Sequence, residues 1–114
     1  MYHNLVERSL GKVKNICHDI KKDYVNGNSD EIYLLNIMIH EAEGALKAKR
    51  YYALYSSLYP LGSDLRPWHN VPEKILKSLE DEVKELGDNI IVQHPDIRKP
   101  IKELQKNLRI IKKW

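Results

Sequence analysis

Basic residues recur along the last part of the chain at a spacing that places them on one side of a helix. Successive members of this set are four, four, three and four positions apart, and they are Arg98, Lys102, Lys106, Arg109 and Lys113. At about 100° per residue, these steps keep the basic side chains away from the apolar side. Arginine and lysine on one helical face can neutralise the phosphates of a nucleic acid. The pattern therefore predicts a candidate nucleic-acid-binding face on the last helix.

The charge of this segment also has a structural explanation. Residues 96–114 contain seven Lys or Arg and two acidic residues, whereas residues 73–88 contain three Lys and six acidic residues. Two helices of opposite charge can pair within a bundle, and the remaining charges can stay solvated. Since no base-reading motif accompanies the basic residues, we prefer the solvated face, and nucleic-acid binding is the alternative.

A second basic group is followed directly by aromatic residues. Its members are Lys47, Lys49, Arg50, Tyr51, Tyr52, Tyr55 and Tyr59. Cations of this kind can hold a nucleic-acid backbone while aromatic rings stack on its bases. However, Tyr51, Tyr55 and Leu58 follow the helical repeat, as residues of a core or its rim do. The spacing therefore favours packing over base stacking for most of these rings.

The segment from Asp64 to His69 contains the residue types that dominate protein contacts. Arg66, Trp68 and His69 form a candidate partner surface, because such residues often contribute most of the binding energy of an interface. The alternative is that Trp68 closes one end of the fold while Arg66 pairs with Asp64. A small nuclease or hydrolase with a composite site around Arg66 and His69 is a further hypothesis.

The five histidines and the single cysteine do not have the spacing of a recognisable site. The histidines are at positions 3, 18, 40, 69 and 94, and no two have the spacing of a metal-binding pair on one helical face. Cys17 lies among apolar positions and is expected to be a buried thiol. The sequence also contains no phosphate-binding loop, dinucleotide fingerprint or nucleophile elbow. We therefore predict no catalytic residue, no metal and no cofactor.

Five helices would position these residues. Apolar side chains recur every three or four positions in residues 4–25, 30–48, 51–65, 72–93 and 97–113. Because the connections between these stretches are short, neighbouring helices should be mostly antiparallel. We expect an all-α fold, a compact bundle of four or five helices. The whole chain, residues 1–114, is expected to form a single helical domain.

Three local alternatives remain open within this arrangement. Residues 30–65 could form one long helix bent at Pro60 instead of a hairpin that turns near Lys49. Gly87 could end the fourth helix instead of lying inside it, and residues 90–92 could be a short extended segment. We favour the hairpin, and a fourth helix that continues to about Gln93.

The predicted hairpin resembles a known two-helix unit. Small and aromatic residues flank its short basic turn, at Ala42, Ala45, Leu46, Tyr51 and Leu58. The hairpin is similar in this respect to TPR-like repeats and HEPN-type domains, and the resemblance implies two closely packed helices. HEPN ribonucleases carry an Arg and a His separated by four to six residues. The nearest pair here, Arg66 and His69, departs from that spacing, so the resemblance does not imply a ribonuclease site.

Composition limits the class of protein. The chain has 114 residues, of which 42% are hydrophobic and 31% charged, as is ordinary for a folded domain. No apolar run is long enough for a membrane span, and the first residues do not read as a signal peptide, so we expect a cytoplasmic protein. The apolar stripes of the first and last helices are expected to be incompletely covered. The leading hypothesis is therefore a noncatalytic module that binds itself or another protein.

Overall fold

The computed structural model describes residues 4–23, 29–63 and 71–112, with side chains for residues 4–22, 32–59 and 71–107. Every regular element in these segments is helical. The elements are α1 (Leu5–Asp23), α2 (Ser29–Lys47), α3 (Tyr51–Ser63), α4 (Glu73–Gln93), a 3₁₀ turn (Pro95–Ile97) and α5 (Arg98–Lys112). The predicted all-α bundle is confirmed. Where a predicted helix end falls within the described segments, the observed end differs by at most one residue.

The apolar positions of α1 explain both its helical form and its place in the fold. Its buried residues are three or four positions apart, and they are Val6, Leu10, Val13, Cys17 and Ile20. Asn4 caps the helix, because its Oδ1 accepts a hydrogen bond from the Val6 amide at 2.9 Å. The largest contact of α1 is with α4. The stripe of α1 is therefore covered at these five positions.

The connection between α2 and α3 is a tight turn at Lys49. The amide of Arg50 donates a hydrogen bond to the carbonyl oxygen of Ala45 at 2.8 Å, and the amide of Lys49 donates to that of Leu46 at 3.0 Å. Lys49 has a φ of 58°, in the left-handed region that glycine adopts most readily. These features define a Schellman motif, which ends α2 and confirms the predicted hairpin. The alternative of one long helix bent at Pro60 is wrong.

Helices that follow one another in the chain run in alternating directions. Ser9 accepts a hydrogen bond from Asn89, and Lys12 pairs with Glu85, so α1 is antiparallel to α4. The short connections make α2 antiparallel to α3 and α4 antiparallel to α5. α3 runs opposite to α4, because its first residue lies at the end of α4 and its next turn lies further back along that helix. It is therefore parallel to α5, against which it also packs.

The start of α3 lies beside the end of α4. Tyr51, the first residue of α3, stacks on His94, which directly follows α4. Tyr55, one turn further along α3, lies against Gly87, nearly two turns back along α4. One end of the bundle therefore combines the N-termini of α1, α3 and α5 with the C-termini of α2 and α4.

Gly87 allows α3 and α4 to approach each other closely. A Cβ atom at Gly87 would lie 2.7 Å from Cε2 of Tyr55 and 2.9 Å from Nε2 of Gln105. α4 continues without interruption from Glu73 to Gln93. The alternatives of a helix end at Gly87 and of an extended segment at residues 90–92 are therefore wrong, and the predicted extent of the fourth helix is confirmed.

Candidate functional site

Among the described elements, α2 lies at the edge of the bundle, with its main contacts on one side. It packs mainly against α3 and has a smaller contact with α1. Leu35 and Ala42 are buried there, whereas three large apolar side chains that point away from this contact are exposed. They are Tyr33, with 65% of its surface exposed, Leu34, with 43%, and Ile37, with 37%. We call these three residues the α2 apolar face.

The sequence of α2 explains why this face is apolar. Residues 32–39 contain one polar residue, Asn36, so this part of the helix has no polar side. A helix that is apolar all round usually lies in the interior of a fold, but α2 has its main neighbours on one side. The recurrence of apolar residues every three or four positions predicts this helix, but it does not identify the outward residues. The signal that could have identified them is the absence of an alternating polar face.

The basic residues predicted on the last helix are brought together only in part within the described residues. Arg98, Lys102 and Lys106 are exposed and line one depression along α5, together with Lys99. Arg109 lies within α5, but its side chain is outside the described residues, as is the whole of Lys113. The shared helical face is therefore confirmed for the first three residues.

The acidic residues of α4 are directed toward α1 as well as α5. Glu85 pairs with Lys12 of α1 at 3.5 Å. The pKa of the neighbouring Glu82 is raised, first by its burial and then by the Glu85 side chain. Between α4 and α5, Lys102 Nζ lies 3.4 Å from Asp88 Oδ1. Lys102 and Asp88 thus form one pair between the acidic and basic helices, and an exposed pair of this kind contributes about 0–1 kcal/mol.

The tyrosines of α3 have different environments. Tyr55 is fully buried and Tyr59 is half-buried, as the helical spacing predicts. Tyr51 is held by its stack on His94, with ring centroids 4.0 Å apart and planes inclined by 25°. Tyr52 points outward, with 42% of its surface exposed. Tyr52 is therefore the ring of this group that is best placed to meet a ligand.

A partly buried polar group, made of Tyr55, Asp88 and Gln105, joins α3, α4 and α5. The Gln105 side-chain amide donates a hydrogen bond to Asp88 Oδ1 at 3.1 Å. Burial raises the pKa of the Tyr55 hydroxyl to about 12, and the adjacent Gln105 side chain opposes that rise. A phenol with this pKa stays protonated at neutral pH. This group therefore stabilises the contacts between the three helices, and its protonated phenol is not a nucleophile.

Within the described residues, the remaining candidates from the sequence are not assembled into a site. Cys17 is buried, as predicted, and burial raises its pKa to about 12. Within residues 4–22, 32–59 and 71–107, no three His, Cys, Asp or Glu side chains are grouped closely enough to hold a metal ion. Arg66, Trp68 and His69 lie outside the described residues. None of the helices in the described segments is both long enough and apolar enough to cross a membrane.

Comparison with protein-family models, with curated proteins and with solved structures finds no match to this chain. Functional inference therefore rests on the surfaces of the molecule itself. Two of them stand out in the described residues. One is the α2 apolar face, and the other is the basic surface where the start of α5 approaches the α2–α3 turn.

Proposed function

We propose that this chain is a noncatalytic interaction module that self-associates through the α2 apolar face. The observation that carries the proposal is the exposure of Tyr33, Leu34 and Ile37 on a helix that packs mainly against one neighbour. Scattered single apolar residues are normal on a protein surface, but adjacent ones on one helical face are typical of a contact site.

A second copy of the chain is the occupant that this face fits best. Closed dimers are usually two-fold symmetric, and each copy then presents the same patch. If two α2 helices cross in opposite directions at the level of residue 35, Tyr33 of each copy meets Ile37 of the other. Leu34 then lies near its own counterpart. The patch is thus complementary to itself in both polarity and size, because a large ring is placed against a smaller aliphatic side chain.

The size of the patch predicts weak association. A stable interface buries about 800 Å² per partner, and two turns of one helix supply much less. Burying one large apolar side chain contributes about 1.5–3 kcal/mol, and these three are already partly covered. Association itself costs at least about 4 kcal/mol. We therefore expect a weak dimer, with a Kd between about 0.3 mM and about 3 mM.

Sedimentation equilibrium over a concentration series that spans this range tests the proposal. The wild-type chain should shift from monomer to dimer, whereas Ile37→Asp should remain a monomer, because a carboxylate cannot be buried against Tyr33 without a large penalty. The matched control is Val92→Asp. Val92 is 69% exposed on α4, outside the α2 apolar face, so this variant should dimerise like the wild type.

Two results would overturn the proposal. One is a wild-type chain that stays monomeric at the highest concentration, which would indicate a different protein as the partner of α2. The other is a dimer that Ile37→Asp and Val92→Asp weaken equally. Far-UV circular dichroism of each variant, which should match that of the wild type, establishes that the substitutions leave the helices intact.

A further inference from the structure

Two basic segments that are distant in the sequence meet at one end of the bundle. A cleft of about 560 Å³ lies where the α2–α3 turn approaches the 3₁₀ turn before α5. Its polar and aromatic lining residues are Lys49, Arg50, Tyr51, Tyr52, His94 and Asp96. The cleft exists because α3 and α5 run in the same direction, so both helices begin at this end.

A second depression, of about 470 Å³, continues along α5. Asp96 lines both depressions, so the two adjoin at this residue. The cations of both depressions, which we call the basic track, are Lys49, Arg50, Arg98, Lys99, Lys102 and Lys106. The two basic groups that the sequence presents separately therefore adjoin in the fold.

The cations of the basic track have few partners within the protein. Lys102 pairs with Asp88, and among the described side chains the other cations of the track form no ion pair. Asp96 and Glu103 are the two acidic residues that line the surface. Six cations against two carboxylates leave an excess of positive charge. Such a surface attracts a polyanion, which releases counterions when it binds.

The aromatic residues indicate which polyanion fits. Tyr51 and His94 form a stacked pair in the wall of the cleft, and the adjacent Tyr52 is exposed. An exposed ring beside cations allows a base to stack while its phosphate contacts Lys49 or Arg50. The bases of a duplex are already stacked on one another, so this arrangement suits a single strand.

We propose that the basic track binds single-stranded nucleic acid, with phosphates along α5 and one base on Tyr52. Asp96, within the cleft, can accept a hydrogen bond from an amino group of a base. This site is separate from the α2 apolar face. Ile37 and Lys49 are twelve positions apart, or about 18 Å at the rise of a helix, so binding does not require self-association.

Fluorescence anisotropy across a salt series tests the proposal. The labelled probe is an oligonucleotide of about 12 nucleotides, prepared as single-stranded RNA, single-stranded DNA and duplex DNA. Each phosphate neutralised on a single strand contributes about −0.7 to the slope of log K against log salt. The Lys49→Gln/Arg50→Gln variant should therefore reduce the steepness of that slope by about 1.4. Tyr52→Ala should weaken binding by between about five-fold and about 150-fold, with no change of slope.

The matched control for charge removal is Lys74→Gln/Lys77→Gln on α4. These lysines are seventeen and twenty positions before His94, which places them about 25–30 Å away along the helix. The control removes two positive charges, as the test variant does, and should bind with nearly the wild-type slope.

Five results would overturn the proposal. The single strand could fail to bind at the lowest salt concentration, or the control pair could flatten the slope as much as the test pair. Tyr52→Ala could bind as tightly as the wild type, which would leave a nonspecific cationic surface. Finally, duplex DNA could bind as tightly as the single strand, which would refute the preference for single strands. Poly-glutamate could also bind as tightly, and an acidic protein would then be the better partner.

Discussion

The contact between Gly87 and Tyr55 predicts that alanine, usually favourable in a helix, is harmful at this position. Replacing glycine by alanine inside a helix ordinarily stabilises a protein by about 1 kcal/mol, because glycine loses more backbone freedom on folding. At Gly87, however, the added Cβ would lie 2.7 Å from Cε2 of Tyr55 and 2.9 Å from Nε2 of Gln105. Ordinary contact between such atoms begins at 3.4 Å, so both side chains would have to move.

The magnitude follows from how far the two neighbours can move. The Gln105 amide is the end of a flexible side chain, but moving it would disturb its 3.1 Å hydrogen bond to Asp88. The Tyr55 ring is fully buried, so other core side chains or the helices themselves must shift if it moves. Overpacking of this kind costs about 1–3 kcal/mol. After the gain in helix propensity is subtracted, we expect Gly87→Ala to lower the free energy of unfolding by about 1 kcal/mol, and by about 2 kcal/mol at most.

Urea unfolding followed by circular dichroism measures this change directly. The midpoint should fall while the slope stays constant, since the surface exposed on unfolding is unchanged. Gly44→Ala and Gly11→Ala are the matched controls, because a Cβ at either position meets nothing within 4 Å. Both should raise the midpoint. If Gly87→Ala also raised it, Tyr55 would not pack on Gly87, and the close approach of α3 and α4 would be refuted.

Two further predictions concern Lys49 and Cys17. Lys49→Gly should raise the free energy of unfolding by up to about 1 kcal/mol, because a φ of 58° is strained for lysine and ordinary for glycine. Urea unfolding measures this change, and a lower midpoint than that of the wild type would contradict the Schellman geometry. Burial raises the pKa of the Cys17 thiol from 9.0 to about 12. Below pH 9 the thiol is neutral in both the folded and the unfolded chain. Above pH 9 the unfolded chain loses the thiol proton first. The free energy of unfolding should therefore fall as the pH rises from 9.0 to about 12, and it should fall less in Cys17→Ala. Equal pH profiles of the two chains would show that the thiol is not buried.

The sequence was sufficient to predict the helices because their main signals are local. In α1, the buried positions follow one another at steps of three and four, and the capping Asn4 directly precedes the helix. The turn at Lys49 was also predictable, although neither Gly nor Pro marks it, because the apolar positions change face there. Each of these features depends on residues within a few positions of one another.

The candidate surfaces depend on which helices become neighbours, and no local pattern contains that information. An apolar run such as residues 32–39 is as typical of a central helix as of an edge helix with an exposed face. Likewise, the fate of Gly87 was open until Tyr55, 32 positions earlier in the chain, was found against it. The cleft between the α2–α3 turn and the 3₁₀ turn could not be predicted for the same reason.

The pairing of α1 with α4 has a consequence for how the chain folds during its synthesis. Lys12 and Glu85 are 73 positions apart, whereas the α2–α3 and α4–α5 hairpins close over short connections. At a translation rate of about 5–20 residues per second, the ribosome needs about 4–15 s to complete α4 after α1. During that interval, the apolar stripe of α1 lacks the helix that covers it in the folded protein. α1 is thus the first described helix to be synthesised and among the last to find its main partner. During that interval, chaperones have access to its apolar stripe.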